Sequence, residues 1–142
     1  MHIAFALFAD AANLSQEGKL NVLGVFDAVH VGGLPSVHPR ATLVLRLKGG
    51  APDVGRHVVT MHWCNPEGDE LWSSAGEVDV GGAPAGADEL DFPLIATLDL
   101  PLDSLGRYEM RVQLDGELAA VARLHVQSAA SSLVAPSGGM VS

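Results

Sequence analysis

Cysteine is almost absent from this 142-residue sequence, and basic residues are few. The one cysteine, Cys64, cannot form an internal disulfide bond, so packing must stabilise the fold, as suits a reducing cytosol. The apolar run from Ile3 to Ala9 is too short to span a bilayer, and no Lys or Arg precedes it as in a secretory signal. We therefore expect a cytoplasmic protein.

Positive charge is scarce along the whole chain. Eight Lys and Arg residues stand against seventeen Asp and Glu, which gives a formal net charge of −9 and a pI near 4.8. The eight cations are spread along the sequence rather than grouped. Because such a charge repels phosphate groups and anionic membrane surfaces, we expect neither nucleic acid nor membrane as a partner.

The composition is that of one globular domain. Hydrophobic residues make up 48% of the chain and charged residues 18%. Residues 128–142 are rich in Ser, Ala and Gly and carry no charge. We predict a single β-sandwich domain over residues 1–127 and a flexible C-terminal tail over 128–142.

Side chains alternate between apolar and polar in several segments, which is the period of a half-buried strand. From Arg107 to Asp115 the apolar members lie on one face, and Asp115-Gly116 then suits a tight hairpin turn. The segment His2–Ala9 buries either Ile3, Phe5 and Leu7 or nearly all of its residues. On the strand after the hairpin, the predicted buried residues are Leu118, Ala120, Ala122, Leu124 and Val126.

Further strands follow from the same pattern. Pro93 interrupts the alternation from Leu90 to Leu100 and indicates an edge or bulged strand. The turn 65–68 reads Asn-Pro-Glu-Gly and predicts a second hairpin. No segment sustains a helical period, so we expect little or no helix. About eight short strands joined by Gly- and Pro-containing turns predict an all-β, antiparallel, immunoglobulin-like Greek-key β-sandwich.

Leu105-Gly106-Arg107-Tyr108 resembles the tyrosine corner of immunoglobulin-like sandwiches. In such a corner the phenol hydroxyl binds backbone groups of the preceding turn. Met110 occupies the position where antibody domains carry a cysteine, so the pattern indicates a general sandwich rather than an antibody domain.

Candidate catalytic and metal-binding patterns are weak. The six histidines lack the paired spacing of a zinc site, and no Gly-x-Ser-x-Gly nucleophile motif occurs. Cys64 is expected to be a small buried apolar residue. We therefore predict no catalytic residue, no metal and no cofactor. The alternative is a small-molecule- or metal-binding protein, or an enzyme, that uses loop carboxylates and histidines at one end of the sandwich: Asp10, Asp27, His30 and His38.

Apolar residues exceed what a small sandwich needs, with a mean hydropathy of +0.26. We predict a non-catalytic module that contacts proteins through a sheet face or edge, most economically as a symmetric homodimer. A further alternative is a subunit of a larger assembly whose C-terminal tail orders on a partner. The predicted outward interface residues are Val44, Val58, Ile95 and Val121.

Three segments of the first forty residues carry a family resemblance. They are Phe5–Asp10, Gly18–Asp27 and Leu34–Pro39, which read as an opening strand, a Gly-Lys turn with a strand ending in Gly-x-Phe, and a Pro-x-x-His-Pro loop. With the Pro-Glu-Gly hairpin and the Gly-Arg-Tyr strand, the chain resembles a family of small bacterial proteins of unknown function over about residues 3–127. The resemblance implies a compact bacterial β-sandwich with no assigned activity and supplies no site residues.

Overall fold

The computed structural model describes residues 1–83 and 85–129 as two packed β-sheets. One turn of 3₁₀ helix, Ala51–Asp53, joins the fourth and fifth strands. The nine strands are β1 (His2–Leu14), β2 (Leu20–Phe26), β3 (Ala28–Val31), β4 (Ser36–Gly49), β5 (Gly55–Cys64), β6 (Glu70–Val80), β7 (Leu90–Leu102), β8 (Gly106–Leu114) and β9 (Glu117–Ser128).

The strands divide into a four-stranded sheet, in the order β2-β1-β4-β7, and a five-stranded sheet, in the order β3-β9-β8-β5-β6. All neighbouring strands are antiparallel except β3 and β9, which pair in parallel after the chain changes sheet at Asp27. The predicted all-β sandwich with little helix is therefore confirmed, with nine strands rather than about eight and one parallel pair.

The core lies between the two sheets and centres on aromatic rings. Trp63 stacks on Tyr108 with ring centroids 5.1 Å apart, and Phe8 meets Trp63 edge-on at 5.9 Å. The Trp63 Nε1–H donates to the carbonyl oxygen of Pro101 at 2.9 Å, so its polar group is satisfied in the core. Trp63 thereby anchors β5 of one sheet to β7 of the other.

Two bulges change which residues of β1 and β9 face the core. In β1 the pairing shifts between Ile3 and Phe5, so Ile3, Ala6 and Phe8 belong to the core cluster and Phe5 and Leu7 do not. The first alternative, that Ile3, Phe5 and Leu7 share the buried face, is therefore wrong. The second alternative fits better, since every residue from Phe5 to Ala9 is buried or half-buried. A bulge inserts one residue and reverses the alternation beyond it.

In β9 the pairing shifts opposite Val112 and Gln113. Leu118 is consequently 61% exposed, and its predicted burial is wrong. Beyond the bulge, Ala122, Leu124 and Val126 are buried as predicted, and Ala120 is partly buried against the core.

Tyr108 forms the predicted tyrosine corner. Its hydroxyl oxygen accepts hydrogen bonds from the backbone N–H groups of Asp103 and Ser104, both at 2.9 Å. Its own proton lies within reach of Asp103 Oδ1 at 2.8 Å and of the Ser104 carbonyl oxygen at 2.9 Å. The corner therefore joins the end of β7 to β8.

The predicted turns are also present. Gly68 closes the 65–69 turn with φ of +89° and donates its N–H to the Asn65 carbonyl at 2.9 Å. Asp115 and Gly116 have φ of +52° and +87° in the β8–β9 hairpin. Pro93 lies on β7, an edge strand, as its missing N–H group predicts. Of the predicted tail, residues 130–142 lie outside the described residues.

No helix in the described ranges has the length and apolar character needed to cross a membrane.

Candidate functional site

The four residues of the alternative ligand cluster occupy separate places. Asp10 lies on β1 and lines an open depression of about 400 Å³ together with Arg40. Asp27 lies at the change of sheet and lines another depression, of about 250 Å³, with Arg107, Arg123 and His125. The two carboxylates therefore do not share a pocket.

The two histidines of that cluster lie on strands of different sheets. His30 is exposed on the short edge strand β3, opposite Gln127. His38 lies on β4 with its ring 5.5 Å from that of Phe26. Within residues 1–83 and 85–129, no three His, Cys, Asp or Glu side chains gather as metal ligands would.

Cys64 is buried at the end of β5, as expected for a small apolar residue. Burial raises the pKa of its thiol, since the thiolate loses hydration. A nucleophilic cysteine needs the opposite shift. This environment makes Cys64 a structural residue.

The four predicted interface residues divide between the two outer faces. Val44 and Ile95 pair directly on β4 and β7 of the four-stranded sheet. Val58 and Val121 lie on β5 and β9 of the other sheet, where Val58 is 40% exposed. The structure therefore does not bring the four together. Val44 is 0% exposed, although Leu7 and Ile95, which flank it in the sheet, are only half-buried.

Val44 is the centre of an apolar surface that crosses all four strands of its sheet. Val44 has Leu7 of β1 opposite it on one side and Ile95 of β7 opposite it on the other. Phe5 of β1 lies opposite Arg46. Val25 lies opposite Ala9 and Leu23 opposite Ala11, at 61% and 69% exposure. We call this surface the outer apolar face, defined by Phe5, Leu7, Leu23, Val25, Val44 and Ile95.

Sequence analysis missed Phe5, Leu7, Leu23 and Val25. The available signal was the segment Leu20–Val31, which is apolar at both odd and even positions. A strand with that pattern has an apolar side chain on each of its two faces. In β2 the two faces are the core side, with Phe26 packed against Phe8, and the outer apolar face.

The charges beside the outer apolar face are paired. Arg46 Nε donates to Asp91 Oδ1 at 2.8 Å, and Lys48 Nζ lies 3.0 Å from Glu89 Oε1. The hydrogen bond and charge of Asp91 raise the pKa of the Arg46 guanidinium, and those of Arg46 lower the pKa of Asp91. Both groups are therefore charged at neutral pH and nearly cancel each other.

The outer face of the five-stranded sheet is polar and gathers cations that are distant in sequence. Arg111 and Arg123 lie on adjacent strands, and their Nε atoms are 3.0 Å and 3.5 Å from the two carboxylate oxygens of Glu109. Arg107 is opposite His125 on the same face. These arginines are therefore closer together in the fold than in the sequence. A carboxylate accompanies them, Glu109 beside Arg111 and Arg123 and Asp27 in the depression with Arg107.

Comparison with known proteins places the chain in one family. Residues 4–127 match the family described as a family of unknown function (DUF6941), in agreement with the resemblance of the opening strands. No curated protein matches the chain. The matched segment runs from β1 to the next-to-last residue of β9 and includes both sheets. The chain belongs to DUF6941, a family of unknown function.

Proposed function

We propose that the protein is a non-catalytic protein-contact module that self-associates through its outer apolar face. The observation that carries this proposal is the continuity of that face across four adjacent strands, with Leu23 and Val25 mostly exposed. In an antiparallel sheet the face that meets water is ordinarily polar. An apolar face of this extent fits a sheet that is covered by protein.

The distribution of charge favours a second copy of the chain as the protein that covers the outer apolar face. The whole chain carries a net charge of −9, so most surfaces of two copies repel each other. Arg46 and Lys48 are paired with Asp91 and Glu89 next to the outer apolar face, which makes this surface nearly neutral. Two copies can therefore approach here without a large electrostatic cost.

The outer surface of the four-stranded sheet is large enough for a small dimer interface. Four strands about 4.8 Å apart, with about ten residues each at about 3.3 Å, give this whole surface roughly 600 Å², and the outer apolar face is its central part. Stable interfaces bury roughly 600–1,000 Å² on each partner. In a two-fold dimer each residue contributes twice, so Leu23 and Val25 supply four apolar side chains to the interface.

The proposal is tested by substitution on the outer apolar face. We expect Val25→Asp to weaken self-association at least about a hundredfold, because a buried carboxylate without a partner is costly and occurs twice in the dimer. Light scattering coupled to size-exclusion chromatography should give twice the 14.7 kDa chain mass for the wild type and the single mass for the variant.

Leu118→Asp is the matched control, since Leu118 is also 61% exposed but lies on β9 of the other sheet. We expect this variant to keep the dimer mass. A wild type that stays at the mass of one chain up to high micromolar concentration would contradict the proposal, as would a Val25→Asp protein that still forms the dimer.

We also propose that the sandwich is immunoglobulin-like and that the protein is bacterial and cytoplasmic. The tyrosine corner at Tyr108 and the buried Trp63 on β5 support the first point. The unpaired, buried Cys64 supports a reducing compartment. Bacterial origin is supported by the resemblance of the opening segments.

A further inference from the structure

The long edge strand β6 contains a stretch with little protection against further pairing. It has eleven residues, Glu70–Val80, and pairs only with β5 within the described part of the chain. From Trp72 to Val80 its register with β5 is continuous, without a bulge. Proteins usually protect a long edge strand with a bulge, a proline, charged side chains or a covering segment, and in Trp72–Val80 the charges are confined to Glu77 and Asp79 near one end.

The other three edge strands carry such protection. β7 contains Pro93 and Pro101, which cannot donate to an added strand. β2 contains Gly24, whose φ of +69° interrupts extended backbone, and β3 has only four residues. Among the edges that the structure describes, β6 is therefore the one that can accept a long added strand.

The middle of β6 offers little steric hindrance. Ser73, Ser74, Ala75 and Gly76 have small uncharged side chains, and all four are exposed. A methyl group added at Gly76 would meet no atom within 4 Å. An incoming backbone can therefore approach to hydrogen-bonding distance along this stretch.

The charges along β6 select the partner. Glu70, Glu77 and Asp79 are exposed on the strand. Glu70 is bound by His62 at 2.6 Å and Glu77 by Arg56 at 3.5 Å, whereas Asp79 has no ion pair among the described residues. Asp79 is therefore the carboxylate of this strand that a basic side chain flanking an added strand can pair with, and the net charge of −9 attracts such a segment to the protein.

From these observations we infer that β6 is a strand-addition site that binds an extended, Lys- or Arg-containing segment of a partner protein. Main-chain hydrogen bonds to the free edge provide binding, and Asp79, together with the negative charge of the whole chain, selects the basic flanks. This site lies on the edge of the five-stranded sheet, apart from the outer apolar face, and it does not depend on dimerisation.

The experiment uses the full chain and a synthetic peptide of alternating threonine and valine with two lysines at each end. We expect the peptide to shift the backbone amide NMR signals of Trp72–Val80. The same peptide with glutamates in place of the lysines should bind at least about tenfold more weakly, since like charges then meet. Shifts confined to other strands, or equal binding of both peptides, would overturn the inference.

Proline variants at Ser74 and Ala75 distinguish the loss of a free-edge hydrogen-bond donor from a general loss of stability. Along an antiparallel strand, the N–H groups of neighbouring residues point alternately to the paired strand and to the free edge. One of Ser74→Pro and Ala75→Pro therefore removes only a free-edge donor, and it is identified by an unchanged melting temperature.

That folded proline variant should bind the lysine peptide at least about tenfold more weakly. Thr97→Pro on edge strand β7, if it also keeps the wild-type melting temperature, is the matched control and should bind normally. Unchanged binding in the β6 variant would overturn the inference. The inference would also be overturned if the β6 variant had the mass of one chain while the wild type had the mass of a dimer, because the occupant of the edge would then be a second copy.

Discussion

At the scale of single residues, both ring nitrogens of His57 are held by hydrogen bonds. Its Nδ1 lies 2.6 Å from Asp115 Oδ2, and its Nε2 lies 2.6 Å from the carbonyl oxygen of Asp53. Both partners offer oxygen acceptors, so this geometry favours the imidazolium, in which both ring nitrogens carry a hydrogen. The hydrogen bond to Asp115, followed by that to Asp53, raises the pKa of His57 above 6.5.

This pKa shift predicts how stability depends on pH. A raised folded pKa gives a contribution that is complete below the unfolded pKa of about 6.5 and is lost as pH rises through the folded value. We expect the free energy of unfolding of the wild type to exceed that of His57→Gln most near pH 6, with a difference that shrinks toward pH 9. Urea titrations at several pH values measure it, and a constant or growing difference would contradict this protonation state.

Tyr108 shows how far single residues can be predicted. The Gly-Arg-Tyr sequence indicates a tyrosine corner, because a Tyr at the start of a strand can place its hydroxyl over the preceding turn, and the corner is present. The bonds of His57 are not predictable in the same way. They depend on Asp115, which is far away in sequence and is brought near by the β8–β9 hairpin.

At the scale of strands, alternation predicts β8 but not the full pattern of β1 and β9. Residues Arg107–Asp115 alternate without interruption, so the buried set of β8 is correct. In β1 and β9 a bulge reverses the alternation, and no residue type marks the insertion. The parallel pairing of β3 with β9 also could not be predicted from the sequence, since the four residues of β3 are too few to show a pattern.

A pair of substitutions on β9 tests the bulge. Leu124 is fully buried, so Leu124→Ala should lower the free energy of unfolding by about 2–5 kcal/mol. Leu118 lies before the bulge and is exposed, so Leu118→Ala should change it by no more than about 0.5 kcal/mol. Denaturant unfolding measures both. Similar losses for the two variants would show that β9 alternates without a bulge.

At the scale of the whole molecule, the two sheets have different outer surfaces. The four-stranded sheet presents the outer apolar face, whereas the five-stranded sheet presents Glu109 with Arg111 and Arg123. The sequence predicts an excess of apolar surface but assigns it to Val44, Val58, Ile95 and Val121 together. Which sheet each residue joins depends on long-range pairing, so the position of the apolar surface could not be derived from alternation alone.

Contact between two copies through the outer apolar face can be observed atom by atom. In a dimer mixed from ¹³C-labelled and unlabelled protein, we expect intermolecular nuclear Overhauser signals to the methyl groups of Leu23, Val25 and Ile95. The absence of such signals, or signals only to Val58, Leu118 or Val121 on the other sheet, would contradict it.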